Sequence, residues 1–130
     1  MDYKEILKEL GCEILRAETS EKVGLYIEEF NIIFLSANLD GIELENYTLH
    51  EVAHALSGDI LTHLSSAQLK IVQEAKANRF MIQQQAEEWL GSYEVRPEAI
   101  DISNFLEYFH FPASFYDMAQ KEFEKLLVND

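Results

Sequence analysis

Residues 49–56 read Leu49-His50-Glu51-Val52-Ala53-His54-Ala55-Leu56. Histidines four positions apart project from the same face of a helix, one turn above the other. Their two imidazoles can therefore reach a single tetrahedral zinc ion at about 2.0–2.1 Å. The apolar residues around them predict that this helix is buried, and buried imidazoles need polar partners, which a metal ion supplies. The segment therefore predicts a metal site on a helix.

Glu51 lies between the two histidines, about 100° further around the same helix. A carboxylate at this position stands beside the metal rather than on it. From there it can take a proton from the attacking water and pass that proton to the leaving amine. His-Glu-x-x-His is a specific signature of zinc peptidases. Because a purely structural zinc site needs no general base, Glu51 favours catalysis and argues against an iron oxygenase, which the same ligand types would also suit.

A catalytic zinc ion usually has three protein ligands and one open position. The longer motif with a third histidine six residues after His54 is excluded, because Ile60 stands there. Glu74 is the predicted third ligand, since it lies 20 residues beyond His54 in the next predicted helix. His63 is the alternative ligand. The other carboxylates considered are Asp59, Glu87 and Glu88.

Composition narrows the class of protein. The 130 residues have the length of a single domain, predicted over residues 1–130, and 48% of them are hydrophobic. A single cysteine excludes an internal disulfide and a Cys-based zinc site. The net charge of −14 disfavours direct binding to nucleic acid. No apolar run approaches the ~18 residues of a membrane span, and no signal peptide is visible, so we expect a cytoplasmic protein. We also expect it to be a monomer or a weak oligomer.

The hydrophobic pattern predicts an α+β fold with a small three-stranded antiparallel sheet packed against about five helices. Short β-rich runs and a turn at Asn31, which can adopt a left-handed conformation, predict the sheet. Asn46 or Thr48 is the predicted N-cap of the motif helix, and Gly58 is its predicted end. The expected strands are 13–16, 23–27 and 32–35, and the expected helices are 2–10, 46–57 or 48–57, 65–91, 97–109 and 112–127.

At these residues the sequence resembles the ImmA/IrrE metallopeptidases of bacteria, phages and integrative elements. Residues 24–35 are similar to the family's hairpin, residues 49–56 to its His-Glu-Leu-Gly-His helix, and residues 74–80 to its Glu-x-x-Ala-Asn-x-Phe motif. Residues 102–123 look like its C-terminal helical pair. Two departures are Ala53, where the family usually has glycine, and the segment after Phe80. The resemblance implies a zincin-like active-site helix, with Glu74 as the third zinc ligand.

The predicted protein is thus a single metallopeptidase domain with one zinc ion per chain. His50, His54 and Glu74 would bind the metal, and Glu51 would be the catalytic base. The resemblance further implies a regulatory protease that cleaves a helix-turn-helix repressor of a phage or mobile element. The alternatives are a catalytically weak or inactive binding module that sequesters a repressor or toxin-like partner, and a metal-stabilised structural protein. Asn78 and Tyr47 are secondary predictions, as a group orienting Glu74 and as an oxyanion donor, and each has a plain packing role as its alternative.

Overall fold

The computed structural model describes residues 3–58 and 67–128. The chain divides into two compact units, Met1–Asn78 and Arg79–Asp130. The predicted α+β class is confirmed, with five α-helices and three strands among the described residues. No helix within those ranges has the length and apolar character needed to cross a membrane.

The first unit begins with helix α1 (Tyr3–Glu9), followed by the strands β1 (Glu13–Ala17), β2 (Gly24–Ile27) and β3 (Ile32–Ser36). A 3-10 turn joins β2 to β3 and ends at Asn31, whose φ of 52° and ψ of 51° are left-handed, as predicted. The Asn31 side chain donates a hydrogen bond to the Leu10 carbonyl at 2.8 Å and accepts one from the Tyr26 hydroxyl at 2.9 Å. This asparagine therefore links the hairpin to the end of α1.

The sheet is mixed rather than antiparallel, which corrects the sequence-based prediction. Its strand order is β1-β3-β2, with β2 antiparallel and β1 parallel to β3. The physical reason lies in the connection 18–23, which carries the chain past β3 so that β2 forms the far edge. The last strand then fills the centre, where Ile33 and Leu35 are completely buried. Alternation of polar and apolar residues reports which face is buried but not the direction in which strands pair.

Helix α2 (Gly41–Ser57) packs against β2 and β3. It ends as predicted at Gly58, which has a left-handed φ of 64°. Its start differs from the prediction. The helix begins after Asp40, and the two predicted N-cap residues, Asn46 and Thr48, are buried inside it. The Thr48 hydroxyl donates to the Leu44 carbonyl one turn earlier, at 2.7 Å. A threonine that bonds back into its own helix resembles an N-cap in sequence, which explains the error.

Helix α3 (Ala67–Gly91) contributes residues to both units, and the second unit also contains α4 (Ile102–Tyr108) and α5 (Tyr116–Val128). Pro97 does not begin a helix. Helix α4 instead begins after Asp101, whose carboxylate accepts a hydrogen bond from the Asn104 amide at 3.1 Å. The predicted capping residue Ser65 lies outside the described residues.

The core of the second unit is aromatic. Phe105 is completely buried, and its ring contacts those of Phe123 at 4.8 Å and Phe109 at 5.1 Å between centroids. Trp89 joins the same cluster, with its ring 5.9 Å from Phe105. Edge-to-face and tilted ring pairs at such distances add stabilisation beyond the burial of apolar area.

Arg16 fixes the connection between β3 and α2. Its guanidinium donates to the carbonyls of Leu35 at 3.2 Å, Ser36 at 2.9 Å and Leu39 at 2.8 Å. A planar fork of donors suits such a set of diverging carbonyls, and an uncharged side chain of similar length would leave all three without this partner. The start of the helix that carries the histidines therefore depends on a residue of β1.

We expect Arg16→Met to lower the free energy of unfolding by roughly 2–3 kcal/mol, because it removes three hydrogen bonds to a charged donor. Urea denaturation followed by circular dichroism measures this. The matched control is Arg79→Met, an exposed arginine of α3, for which we expect a change within about 0.5 kcal/mol. Equal losses in both variants would contradict the role assigned to Arg16.

Candidate metal centre

Helix α2 and the first part of α3 bring two imidazoles and one carboxylate together. His50 Nε2 lies 2.8 Å from Glu74 Oε2, and His54 Nε2 lies 3.0 Å from Glu74 Oε1. The two imidazole rings are 5.0 Å apart between centroids and nearly perpendicular, with 79° between their planes. Each oxygen of one carboxylate thus faces a different histidine, and both histidines point to the same place.

This donor set fits a metal ion. The ligand atoms of His50, His54 and Glu74 all lie within 4.8 Å of one another. Two ligands of a tetrahedral zinc ion at ~2.0–2.1 Å are about 3.3 Å apart, so the two nitrogen–oxygen distances are within roughly 0.5 Å of that value. Among the described residues, no other group of histidine, cysteine or acidic side chains converges in this way.

The site is closed on one side and open on the other. The His54 side chain is 6% exposed and that of His50 is 19% exposed, whereas that of Glu74 is 47% exposed. The exposed fraction thus rises from His54 to Glu74, so solvent reaches this group of side chains from the Glu74 side.

Glu51 is buried beside the two histidines, with 7% of its surface exposed. Its Oε1 atom accepts a hydrogen bond from the backbone N–H of Tyr26 in β2, at 2.8 Å. The carboxylate is therefore held by the sheet on which α2 packs. A side chain fixed by a backbone donor keeps its orientation without depending on solvent.

The environment shifts the protonation of Glu51. Burial raises the pKa of its carboxyl above the ordinary value of 4.5, and the Glu74 carboxylate adds to the rise. The neighbouring His50 and His54 and the hydrogen bond from Tyr26 oppose part of this effect on the pKa. Burial is the largest cause, so the net direction is upward, as is common for a carboxyl group in an active site.

Gly24 allows β2 to approach α2 at this point. A Cβ atom at Gly24 would lie 3.0 Å from Cδ2 of Tyr47 and 3.6 Å from Cγ of Glu51. The Tyr47 ring therefore packs over the glycine, which is the packing alternative considered for this tyrosine. Neither the role of Gly24 nor that of the Tyr26 amide was predicted from the sequence. A glycine inside a strand was the available signal, since it often marks a close approach of another element.

The structure thus brings His50, His54 and Glu74 together and places Glu51 next to them. Asp59 and the alternative ligand His63 lie outside the described residues. Glu87 and Glu88 are exposed residues of the second unit and belong to no described metal-binding group. Assigning ligand and catalytic roles to these residues remains a prediction that geometry supports.

Comparison with known proteins adds no assignment. No protein-family model matches the sequence, and no curated protein matches it at a significant level. A function can therefore be proposed only from the geometry of the site and from the resemblance of its motifs.

Glu51 should make the stability of the metal-free protein depend on pH. Because its pKa is raised on folding, the stability that its proton contributes is fully present below about pH 4.5 and is lost as the pH rises through the raised pKa. Glu51→Gln removes this loss, so the free energy of unfolding of the variant should increasingly exceed that of the wild type as the pH rises. Urea titrations in chelator across this range measure the difference.

The control is Glu87→Gln, which removes one exposed charge from the same chain. The difference in free energy of unfolding between this control and the wild type should change much less with pH. If the free energies of unfolding of Glu51→Gln and the wild type differed by the same amount at every pH, the burial of a charged carboxylate at this position would be contradicted.

Proposed function

We propose that the chain is a zinc-dependent endopeptidase in which His50, His54 and Glu74 bind one zinc ion and Glu51 is the catalytic base. The observation that carries this proposal is the convergence of both Nε2 atoms on the two oxygens of Glu74, at 2.8 and 3.0 Å. The position of Glu51 supports hydrolysis over a purely structural role. A structural site would leave a buried carboxylate beside the ligands without a purpose and at a cost in desolvation.

The ligand types favour zinc. Two imidazoles and one carboxylate, with an open side, are a common ligand set of catalytic zinc in peptidases. A bound zinc ion supplies Lewis acidity, which lowers the pKa of water and polarises a carbonyl group. The chain itself supplies the ligands, the approach from the exposed side of Glu74 and a group that moves protons.

Glu51 is suited to move that proton. The Tyr26 N–H holds Oε1, which leaves Oε2 as the oxygen that accepts a proton from the water attacking the peptide carbonyl. The same carboxyl group then gives the proton to the departing amine. A carboxyl group works best in both directions when its pKa lies between its ordinary value and neutrality, and burial moves the pKa of Glu51 that way.

The proposed substrate is a protein. The resemblance to ImmA/IrrE peptidases supports a helix-turn-helix repressor of a phage or mobile element, cleaved in the cytoplasm by a monomer or weak oligomer. A repressor is basic where it contacts DNA, and the net charge of −14 on this chain would favour their encounter. The same charge disfavours direct binding of this chain to nucleic acid.

Metal content tests the ligand set. Protein purified in the presence of zinc should contain about one zinc per chain, because three ligand side chains fix one ion. Glu74→Ala should lose most of that zinc, and His50→Ala should do the same. Glu87→Ala, which removes another carboxylate of α3, should retain it. Elemental analysis by mass spectrometry gives the stoichiometry, and a folded wild type that binds no zinc would contradict the proposal.

Glu51→Gln tests catalysis separately from binding. This variant should keep its zinc while its rate of peptide hydrolysis falls by about 10²–10⁴-fold, as expected for the loss of a general base. The assay uses a peptide library made from a bacterial proteome, with mass spectrometry of the new amino termini. If zinc-loaded wild type cleaves no peptide but binds a repressor protein encoded beside it, the chain is a binding module instead.

A further inference from the structure

The sheet of the first unit has two faces; α2 packs on one of them, and within residues 3–58 and 67–128 no other helix packs closely against the sheet. Leu35 and Gly24 are register partners on the face toward α2, since a Cβ atom at Gly24 would contact side chains of α2. Side chains alternate between the two faces along each strand, so the register partners Leu25 and Phe34, one position on from this pair, point to the other side of the sheet. We name this side the outer sheet face; its apolar side chains are Leu15, Leu25, Ile27, Ile32 and Phe34.

The outer sheet face is apolar and accessible. Leu15, Phe34 and Leu25 are register partners and form one row across all three strands. The two outer members of this row are 54% and 51% exposed. Two positions along the strands from this row, Ile27 and Ile32 are also register partners, and both are only half-buried. Contiguous apolar patches of this kind on a folded protein mark sites of interaction with other molecules.

The charges around this face are acidic. Four exposed glutamates lie on it or at the ends of its strands: Glu13, Glu18, Glu28 and Glu29. We call them the acidic rim. Arg16 and Lys22, the two cations of residues 11–36, are already engaged, the first with three backbone carbonyls and the second with Glu43 at 2.7 Å. The rim therefore keeps its negative charge.

We propose that the outer sheet face is a docking surface for a basic amphipathic helix of a partner protein. Outer strands of a three-stranded sheet are about 10 Å apart, which matches the 10–12 Å diameter of a single α-helix. Helix α2 already covers the inner face in this manner. Leucine-like side chains of a partner helix would cover the apolar row, while lysine or arginine residues on its flanks would meet the acidic rim.

The charge of the rim also selects against other occupants. Nucleic acid and anionic lipid surfaces carry the same sign as the glutamates and would be repelled. A second copy of this chain would bring its own acidic rim and a further net charge of −14. Because the face lies on the side of the sheet away from α2, a partner could bind there without covering His50 or Glu74. The proposal therefore does not depend on catalysis.

The first test uses a designed peptide of about 18 residues, which is five turns of helix, with a leucine stripe flanked by lysines. Binding is measured by fluorescence anisotropy in chelator, so that hydrolysis plays no part. We expect the wild type to bind it, and Leu15→Ser/Leu25→Ser to bind it roughly tenfold more weakly, because two half-exposed leucines no longer contribute apolar contact. The control Val95→Ser/Val128→Ser removes two exposed valines elsewhere and should bind like the wild type.

The second test concerns charge. Glu13→Gln/Glu28→Gln should weaken binding and reduce its dependence on salt, whereas Glu87→Gln/Glu88→Gln, which removes two exposed charges of α3, should change both much less. A peptide of the same composition in scrambled order should bind poorly, because it has no leucine stripe. A peptide with the stripe flanked by glutamates should also bind poorly, because it meets the acidic rim with like charge.

Three results would overturn the proposal. Equal binding by the wild type and Leu15→Ser/Leu25→Ser would show attraction by net charge alone. Sedimentation that reveals a wild-type dimer, lost in the same double variant, would assign the face to a second copy of the chain. Binding to phosphatidylglycerol vesicles that this variant abolishes would assign it to a membrane. Because all of these measurements are made without zinc, they are independent of whether the protein is a peptidase.

Discussion

Helix α2 carries His50, Glu51 and His54 into surroundings where a polar group without a partner is expensive. Each of the three finds a partner outside α2. Both histidines meet the carboxylate of Glu74 from α3, and Glu51 meets the backbone amide of Tyr26 from β2. These contacts constrain the packing of the first unit. Strand β2 must lie close to α2 for the Tyr26 amide to reach Glu51, and Gly24 makes that approach possible.

The contacts of Glu74 with His50 and His54 are compatible with a metal site at the same residues. In the metal-free chain, Glu74 can accept hydrogen bonds from protonated imidazole nitrogens, which partly compensates for the burial of His54. The same atoms could hold a metal ion, since they lie within 4.8 Å of one another. Glu51 has no such double role, because its Oε1 atom is directed at the sheet. Its burial beside the histidines is the feature that the proposed role as catalytic base requires.

The sequence predicts the site more completely than the sheet that supports it. A spacing of four residues on one helix is sufficient to place His50 and His54 together. The motif at residues 74–80 points to Glu74 as the carboxylate that meets them. The direction of β1 could not be inferred, because alternation is the same in parallel and antiparallel pairs. The start of α2 was obscured by Thr48, whose hydroxyl bonds within the helix. The role of Tyr26 could not be predicted from its residue type, because the group that contacts Glu51 is its backbone amide and not its side chain.

The most direct test of the proposed ligand set is the position of the metal in a zinc-loaded crystal, determined from anomalous scattering at the zinc edge. We expect one peak per chain, within about 2.0–2.2 Å of His50 Nε2, His54 Nε2 and a carboxylate oxygen of Glu74. We also expect Glu51 to lie beside the ion without ligating it and to keep its hydrogen bond to the Tyr26 amide. A peak bound to other residues, or no peak while Glu74 remains hydrogen-bonded to both histidines, would contradict the central claim.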